Sequence, residues 1–391
     1  MRIGYLVPEF PGQTHAFFWR EVQALREMGC TVDWLSTRAP DPAACTHAFA
    51  DEARRQTRYL FPPGVWAAVR AAQPRLPQSV ADYLAKLSGV GLRARLKQRA
   101  LLAAAFGLLD YCVAQKVEHL HAHSCANAAH VAALCRLLGG PPYSLTLHGD
   151  LDVYGTDHAL KFKNAAFVSV VTYALQRQVV ERLGLHQELL PVIRMGVDTA
   201  RFVPVAKSAN ASKFTAVTVA RLNHTKGHLY ALEALAALNR QGVEIEYKIA
   251  GAGPERENIE RHIKDLNLSR QVTLLGNLGE QAVGQLLTQA DVFLLTSFGL
   301  GEAAPVSVME AMASGTPVIS SRIGGTAEMI DDGVDGLLVS QKNVDEIAAA
   351  LRRLVLSPEL REQLAAAARA RATREFDFRQ NAALLFARFK K

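Results

Sequence analysis

Two carboxylates, Glu302 and Glu310, stand eight positions apart in the segment Glu302-Ala-Ala-Pro-Val-Ser-Val-Met-Glu310. Pro305 suits the first turn of a helix, where its missing N–H is not needed. Glu302 then sits on the loop before that helix, beside free backbone N–H groups, and Glu310 about a turn and a half inside it. Both can face one ligand at two heights. A surface-helix glutamate is the plain alternative, but Val308, Met309, Ala311 and Met312 flank Glu310. A carboxylate among apolar neighbours needs a partner. A second loop, Arg221-Leu-Asn-His-Thr-Lys226-Gly227, sets a guanidinium fork and an ammonium ahead of a predicted helix. Such a set could hold a diphosphate at the helix start; a solvated basic turn has the same composition. Gly251-Ala-Gly253-Pro254 permits a close backbone approach to a ligand, or only a tight turn. Leu275-Gly276-Asn277 closes another strand and carries little signal alone.

These loops need strands to hold them. The chain opens as a βαβ unit: strand Ile3 to Val7, helix around Phe17 to Met28, strand Thr31 to Leu35. Residues 51–110 interrupt with Pro-punctuated, Ala- and Arg-rich helices. Strands resume at Val117 to Ala122, Tyr143 to Leu147 and Ala166 to Val171. The small, polar stretch 204–213 reads as a linker. Beyond it strands at Phe214 to Ala220, Glu244 to Ala250, Val272 to Leu275, Val292 to Leu295 and Pro317 to Ser320 alternate with helices, and the tail from Asp345 is helical. The expected class is α/β, two doubly wound Rossmann-like domains with function in the loops after the strands.

Composition limits the rest. The 391 residues suit two or three domains, and 49% apolar against 21% charged residues is ordinary for a globular protein. The net charge of +7 is local: residues 51–100 hold ten Lys and Arg against Asp51, Glu52 and Asp82, a surplus equal to the whole excess. A nucleic-acid coat usually needs a basic face across a domain. A solvated set of helices explains the run, as does a docking face for anionic lipid or a lipid-diphosphate acceptor. The longest wholly apolar run, Ala100 to Leu109, is too short to span a bilayer. The opening MRIGYLVPEF reads as a strand rather than a secretory leader. Five cysteines without a CxxC pair read as free thiols of a reducing cytoplasm.

Taken together, the loops resemble the retaining glycosyltransferases of family 4, which have the GT-B fold. The signature E-x7-E falls on Glu302 and Glu310, and VARLNHTKG (219–227), IAGAGP (249–254), VTLLG (272–276) and Gly196-Val197-Asp198 followed by Phe202 match as well. EFPGQTHAFFWREVQAL (9–25) and HLHAHS…YSLTLHGD (119–150) resemble the branch that builds bacterial exopolysaccharide and lipopolysaccharide. The resemblance implies two domains facing across a cleft: 1–203 for the acceptor and 214–372 for the donor, with 373–391 as a helix crossing back to the first. It implies that Glu310 accepts hydrogen bonds from the nucleotide ribose. Glu302 would hold the donor sugar's hydroxyls with backbone groups near Ala303, Ala304, Pro305 and Val306. Arg221 and Lys226 would neutralise the donor diphosphate. Leu275 and Asn277 would flank the base, with Gly251, Gly253 and Gly196 in the donor site. His148 would face the sugar, and the loop at Gly12 would approach from the first domain. The expected donor is a UDP-sugar and the acceptor a saccharide or lipid-linked saccharide. No cofactor and no metal are expected, and the expected place is the cytoplasm, peripheral at the inner face of the plasma membrane.

Other signals are weaker. Asp150-Leu-Asp152 is a DxD, which would suit a metal-dependent transferase of the GT-A fold, but such triplets are common by chance. His121, His123 and Cys125 alternate along a strand and so share a face, a possible zinc set without a fourth ligand at regular spacing. A nucleotide-sugar epimerase, a phosphorylase and a non-catalytic nucleotide-sugar-binding module are the competing functions.

Overall fold

The structure is a computed structural model that describes residues 1–41, 45–60, 76–205 and 213–390. Most of the expected linker, 206–212, and residues 61–75 of the basic segment lie outside the described residues. The chain divides into two compact units, Met1–Ile193 with Ala382–Lys391, and Arg194–Asn381. The division therefore falls at Ile193, before residue 203.

In the first unit, six parallel strands lie in the order β3-β2-β1-β4-β5-β6. They are β1 Arg2–Glu9, β2 Thr31–Arg38, β3 Arg58–Tyr59, β4 His119–His123, β5 Tyr143–Leu147 and β6 Val168–Val170. Ile3 to Val7 is buried without interruption, as befits a strand covered by helices on both faces. β4 is the exception in chemistry: it is equally buried but carries His119, His121 and His123 on one face. The helices Ala50–Gln56, Gln78–Ala85 and Gly91–Gln115 account for the described part of the basic segment. The short strand β3 among them was not signalled by the sequence. The final helix, Phe378–Phe389, delivers Leu385 and Phe389 into the core with Ile3, Tyr5 and Trp34. Leu384, one position before Leu385, is 56% exposed, because successive side chains on a helix point about 100° apart.

In the second unit the order is β12-β11-β10-β7-β8-β9, again all parallel. The strands are β7 Thr215–Val219, β8 Glu246–Ala250, β9 Val272–Gly276, β10 Val292–Leu295, β11 Val318–Ser321 and β12 Leu337–Val339. Only β12 had no counterpart in the sequence reading. Its core joins Tyr247, Ile249, Val292, Leu294 and Ile319 to Ala231, Leu235 and Leu351 from the covering helices. Each of the Ile, Leu and Val side chains among them contributes about 1.5–3 kcal/mol when fully buried. Each sheet reverses its winding once, between β1 and β4 and between β7 and β10. In doubly wound sheets the crevice beyond the carboxyl ends of the strands at that reversal is where ligands bind.

Candidate active site

At the reversal of the second sheet, the loop leaving β7 and the loop leaving β10 lie against each other. Phe298 N–H donates to Thr225 O at 2.8 Å, and the Thr296 hydroxyl donates to Gly227 O at 2.8 Å. Across this seam the Lys226 ammonium meets the Glu302 carboxylate, an ion pair with side chains only 16% and 10% exposed. Ser297 donates to the same carboxylate oxygen, Oε2, at 2.9 Å. Glu302 is thus held by a cation and a hydroxyl and lies just ahead of the helix Val306–Ala313, whose N-cap is Pro305. Ala303, Ala304 and Pro305 are buried, and Val306 is the first helical residue. Glu310 is buried on the same helix, between Met309 and Ala311.

Arg221 follows β7 and is exposed. Its loop is clamped from two sides. His228 Nε2 lies 3.1 Å from Arg221 O, and a carbonyl only accepts, so that nitrogen carries the proton. Burial lowers the His228 pKa, which keeps the ring neutral in that role. On the other side, Gly251 at φ +146 runs so close to β7 that a Cβ would fall 1.9 Å from Ala220 O. Gly253 stands equally near Leu222 O, and Leu222 N–H donates to Ala252 O at 2.9 Å. The close approach these glycines permit is therefore to the Arg221 loop itself. Gly251 N–H also donates to Gly276 O at 2.7 Å, tying in the end of β9, where Leu275 is half-buried and Asn277 exposed. Gly196 has a different setting: a Cβ there would fall 2.2 Å from the Phe378 Cα, so its glycine serves the packing of this segment on the start of the last helix.

The first unit carries the remaining two expected residues. Gly12 accepts from His15 N–H at 3.0 Å, in the turn that starts the helix Ala16–Glu27. His148 follows β5, and its Nε2 lies 2.9 Å from Nδ1 of His123 at the end of β4. Burial pushes the His148 pKa down to about 3, helped by the neighbouring His15. His121 is bracketed by Ser144 Oγ at 2.8 Å and Thr146 Oγ1 at 2.9 Å. His119 reaches Ser144 Oγ at 2.8 Å.

The possible zinc set is regrouped. Ser124 adopts φ +67, which ends the strand alternation, and Cys125 Sγ turns to His158 Nδ1 at 3.5 Å. Glu21 takes its place: it, His121 and His123 bring ligand atoms within 4.8 Å of one another. Both nitrogens of His121 and Nδ1 of His123 are already engaged by protein atoms, so the group fits a hydrogen-bond network better than a metal ion. The DxD carboxylates likewise have protein partners. Gln178 reaches Asp150 at 3.2 Å, and Arg182 grips Asp152 bidentately at 2.7 and 2.9 Å. All five cysteines are buried free thiols. Among the described residues no helix is long and apolar enough to cross a membrane.

Two family profiles tile the chain: Glycosyltransferase Family 4 over residues 16–201 and Glycosyl transferases group 1 over residues 202–371. The chain belongs to glycosyltransferase family 4. This glycosyltransferase is 26% identical to the amylovoran biosynthesis glycosyltransferase AmsK of Erwinia amylovora, over 98% of this chain and 99% of AmsK. A protein of Escherichia coli named for colanic acid biosynthesis, WcaL, is 37% identical over 51% of this chain and 50% of its own length. Among solved structures, Anabaena HepE in complex with UDP superposes with a TM-score of 0.75 at 19% identity, covering 99% of each chain. A Rickettsia africae glycosyltransferase gives 0.76 at 17% identity, covering 100% of this chain and 98% of its own. The fold is GT-B.

Four residues of this glycosyltransferase's two clusters escaped sequence reasoning. Ser297 and His228 act on Glu302 and on the Arg221 loop from other parts of the second unit. Glu21 and Tyr5 belong to the first-unit network, where Tyr5 donates to Glu21 Oε1 at 2.7 Å. Only Glu21 carried a signal, the single acid in the first half of a helix that opens on Ala16, Phe17, Phe18 and Trp19.

Proposed function

We propose that this protein is a retaining, metal-independent glycosyltransferase of cell-surface polysaccharide synthesis that moves a sugar from a nucleotide-sugar donor to a saccharide or lipid-linked saccharide. The observation that carries this reading is the Lys226–Glu302–Ser297 contact at the reversal of the second sheet, with Arg221 beside it. Departure of a nucleoside diphosphate develops negative charge. Arg221 offers a fork of N–H donors and Lys226 a point charge, preorganised against a low-dielectric floor. Together they supply the neutralisation for which other transferases use a metal. Glu302 holds the sugar's hydroxyls beside the cation that holds its phosphate, so one ion pair registers both halves of the donor. Glu310, a helix turn and more deeper, takes the ribose hydroxyls. His148 faces the sugar, and the leaving phosphate accepts the proton of the attacking acceptor hydroxyl on the same face. UDP is the favoured base carrier, supported by HepE, which binds UDP and UDP-glucose. The polysaccharide context is supported by the names of AmsK and WcaL.

The test is a thermal-shift panel of nucleoside diphosphates and their sugars. A ligand bound by the native state raises the melting temperature, and a UDP-sugar is expected to raise it most. Acceptor-dependent release of the diphosphate, with the product's anomeric configuration read by NMR, then separates retaining transfer from epimerase, phosphorylase and binding-module alternatives. Inverted configuration, or diphosphate release without acceptor, removes the reading.

The helix Gly91–Gln115 supports a peripheral place at the inner face of the plasma membrane. At its start Arg93, Arg95, Lys97 and Arg99 are all exposed, interleaved with Val90, Leu92 and Leu96 at 96%, 73% and 42% exposure. Basic residues near an anionic surface contribute about 1 kcal/mol each, and apolar residues among them can enter the headgroup layer.

A further inference from the structure

Just ahead of Glu302, the loop after β10 forms a short tongue, Gly299-Leu300-Gly301. Its glycines lie at φ +81 and φ +93, a left-handed region that glycine enters without steric cost. Leu300, the tongue's one side chain, is 62% exposed. Both ends are held. Gly299 N–H donates to Gln341 Oε1 at 2.9 Å, and Gln341 Nε2 donates to Arg322 O at 2.9 Å. At the other end Glu302 is held by Lys226 and Ser297. Its backbone is seated on the loop after β11. Gly325 N–H donates to Ala303 O at 2.7 Å, and a Cβ on Gly324 would fall 1.9 Å from Glu302 O.

Gln341 comes from the turn after β12, which is itself fixed. Glu346, in the helix Val344–Leu356, accepts from Ser340 N–H at 2.6 Å, from the Ser340 hydroxyl at 3.0 Å and from Asn343 Nδ2 at 2.8 Å. Between them Lys342, at φ +62, sets its ammonium 4.4 Å from the centre of the Phe298 ring. The turn thus grips two successive residues, Phe298 and Gly299. A side chain that joins an N–H to a carbonyl must both accept and donate. An amide does so; a carboxylate lacks the donor and an ammonium lacks the acceptor.

We propose that Gln341 is a positioning residue that sets the tongue so that Leu300 walls the donor-sugar subsite beside Glu302, a role that rests on the reading of Glu302 as the holder of the sugar's hydroxyls. Two residues of chain span at most about 7 Å, so Leu300 cannot stand far from that carboxylate. A sugar presents CH groups as well as hydroxyls. Glu302 takes the hydroxyls, and Leu300 takes the CH groups, which removes apolar surface of both from water. Gln341 is exposed. Exposed hydrogen bonds of this kind add little to folding, so the bridge has its effect on the tongue rather than on the fold.

The test is calorimetry on the full chain with two probe pairs, UDP against UDP-glucose and GDP against GDP-mannose, read in the pair that wild type binds. In Gln341→Ala, affinity for the sugar nucleotide should fall about tenfold, the scale of a small misplacement at a binding site. Affinity for the nucleoside diphosphate alone should stay as in wild type, and the melting temperature should move by no more than about 2 °C. Gln341→Glu, which keeps the acceptor and loses the donor, should lose as much as Gln341→Ala. Leu300→Ala should lose sugar-nucleotide affinity in the same way, and the double variant should be no worse than the weaker-binding single one, because both remove one contact. Wild-type sugar-nucleotide affinity in Gln341→Ala, equal losses for the diphosphate and its sugar, or additive losses in the double variant overturn the proposal. Wild type that binds a diphosphate no more weakly after Glu302→Ala, and its sugar no more weakly either, would instead overturn the reading of Glu302 beneath it.

Discussion

At the reversal of the second sheet the side chains are charged: Lys226 on Glu302, with Arg221 exposed alongside. At the reversal of the first sheet they are neutral rings: His119, His121, His123 and His148, joined through Ser144 and Thr146, with one acid, Glu21, at the edge. The topology is the same in both units, so topology does not choose between these chemistries. Under the proposed function the ligand would. A leaving diphosphate needs fixed positive charge. A neutral sugar needs donors and acceptors of fixed direction, which buried imidazoles supply without net charge.

The largest expected break comes from the charged cluster. Lys226→Ala removes the cation and strands the Glu302 carboxylate. Loss of one partner of a buried pair costs about 3–5 kcal/mol, and loss of one preorganised stabiliser of developing charge lowers turnover about 100- to 1000-fold. Turnover at saturating donor checks this; an unchanged rate would remove Lys226 from the site. Arg221→Ala, exposed and without that stranded partner, should lower turnover with little change in melting temperature.

Acid should distinguish the two units next. Burial lowers His119 to about 4, and His130 and His148 to about 3, below the unfolded value of 6.5. Each therefore supports folding in full above about pH 6.5 and loses that support as pH falls through the window toward its folded value. By pH 4 His119 alone accounts for about 3 kcal/mol. Glu21 acts oppositely: its folded pKa of about 7 means that support present below its unfolded 4.5 is lost as pH rises to 7. Among the described residues of the second unit, only His228 is a histidine shifted downward. Amide exchange at about pH 4.5, below the unfolded histidine range, should show β1, β4 and β5 losing protection before β7 and β10. Equal loss in both sheets would contradict the contrast.

A backbone test is smaller. Gly251→Ala would drive a Cβ onto Ala220 O and part the loops after β7 and β8. A few kcal/mol of stability and a weaker donor affinity are expected, measured by denaturant unfolding and by calorimetry. Smallest is the surface effect. Reversing Arg93 and Arg95 to Glu should abolish sedimentation with anionic vesicles at low salt while leaving transfer to a soluble acceptor unchanged. Binding that persists in that variant would place the membrane face elsewhere.

The charged cluster was largely legible in the sequence and the neutral one was not. Arg221, Lys226 and Glu302 lie in short loops and Glu310 on the helix that follows, segments marked by Gly227 and Pro305, and their types announce their chemistry. Ser297 was silent, because a serine gains meaning only from the carboxylate it meets. The histidines of β4 were visible as a row, yet their grouping with Cys125 failed at Ser124, where one left-handed residue ends the alternation. Glu21 and Tyr5 reach His123 only because β1 lies beside β4 and the helix after β1 packs back on the sheet.

By itself the sequence determined the alternating elements, the two parallel sheets and the loops that hold charge, because hydrophobic period, glycine, proline and ionic side chains act over a few residues. Tertiary structure alone decided which groups come into contact and which neutralise one another. Glu21 with His123, His123 with His148, and Lys226 with Glu302 are contacts between residues far apart in the chain, set by strand order and by the burial that strips water from them.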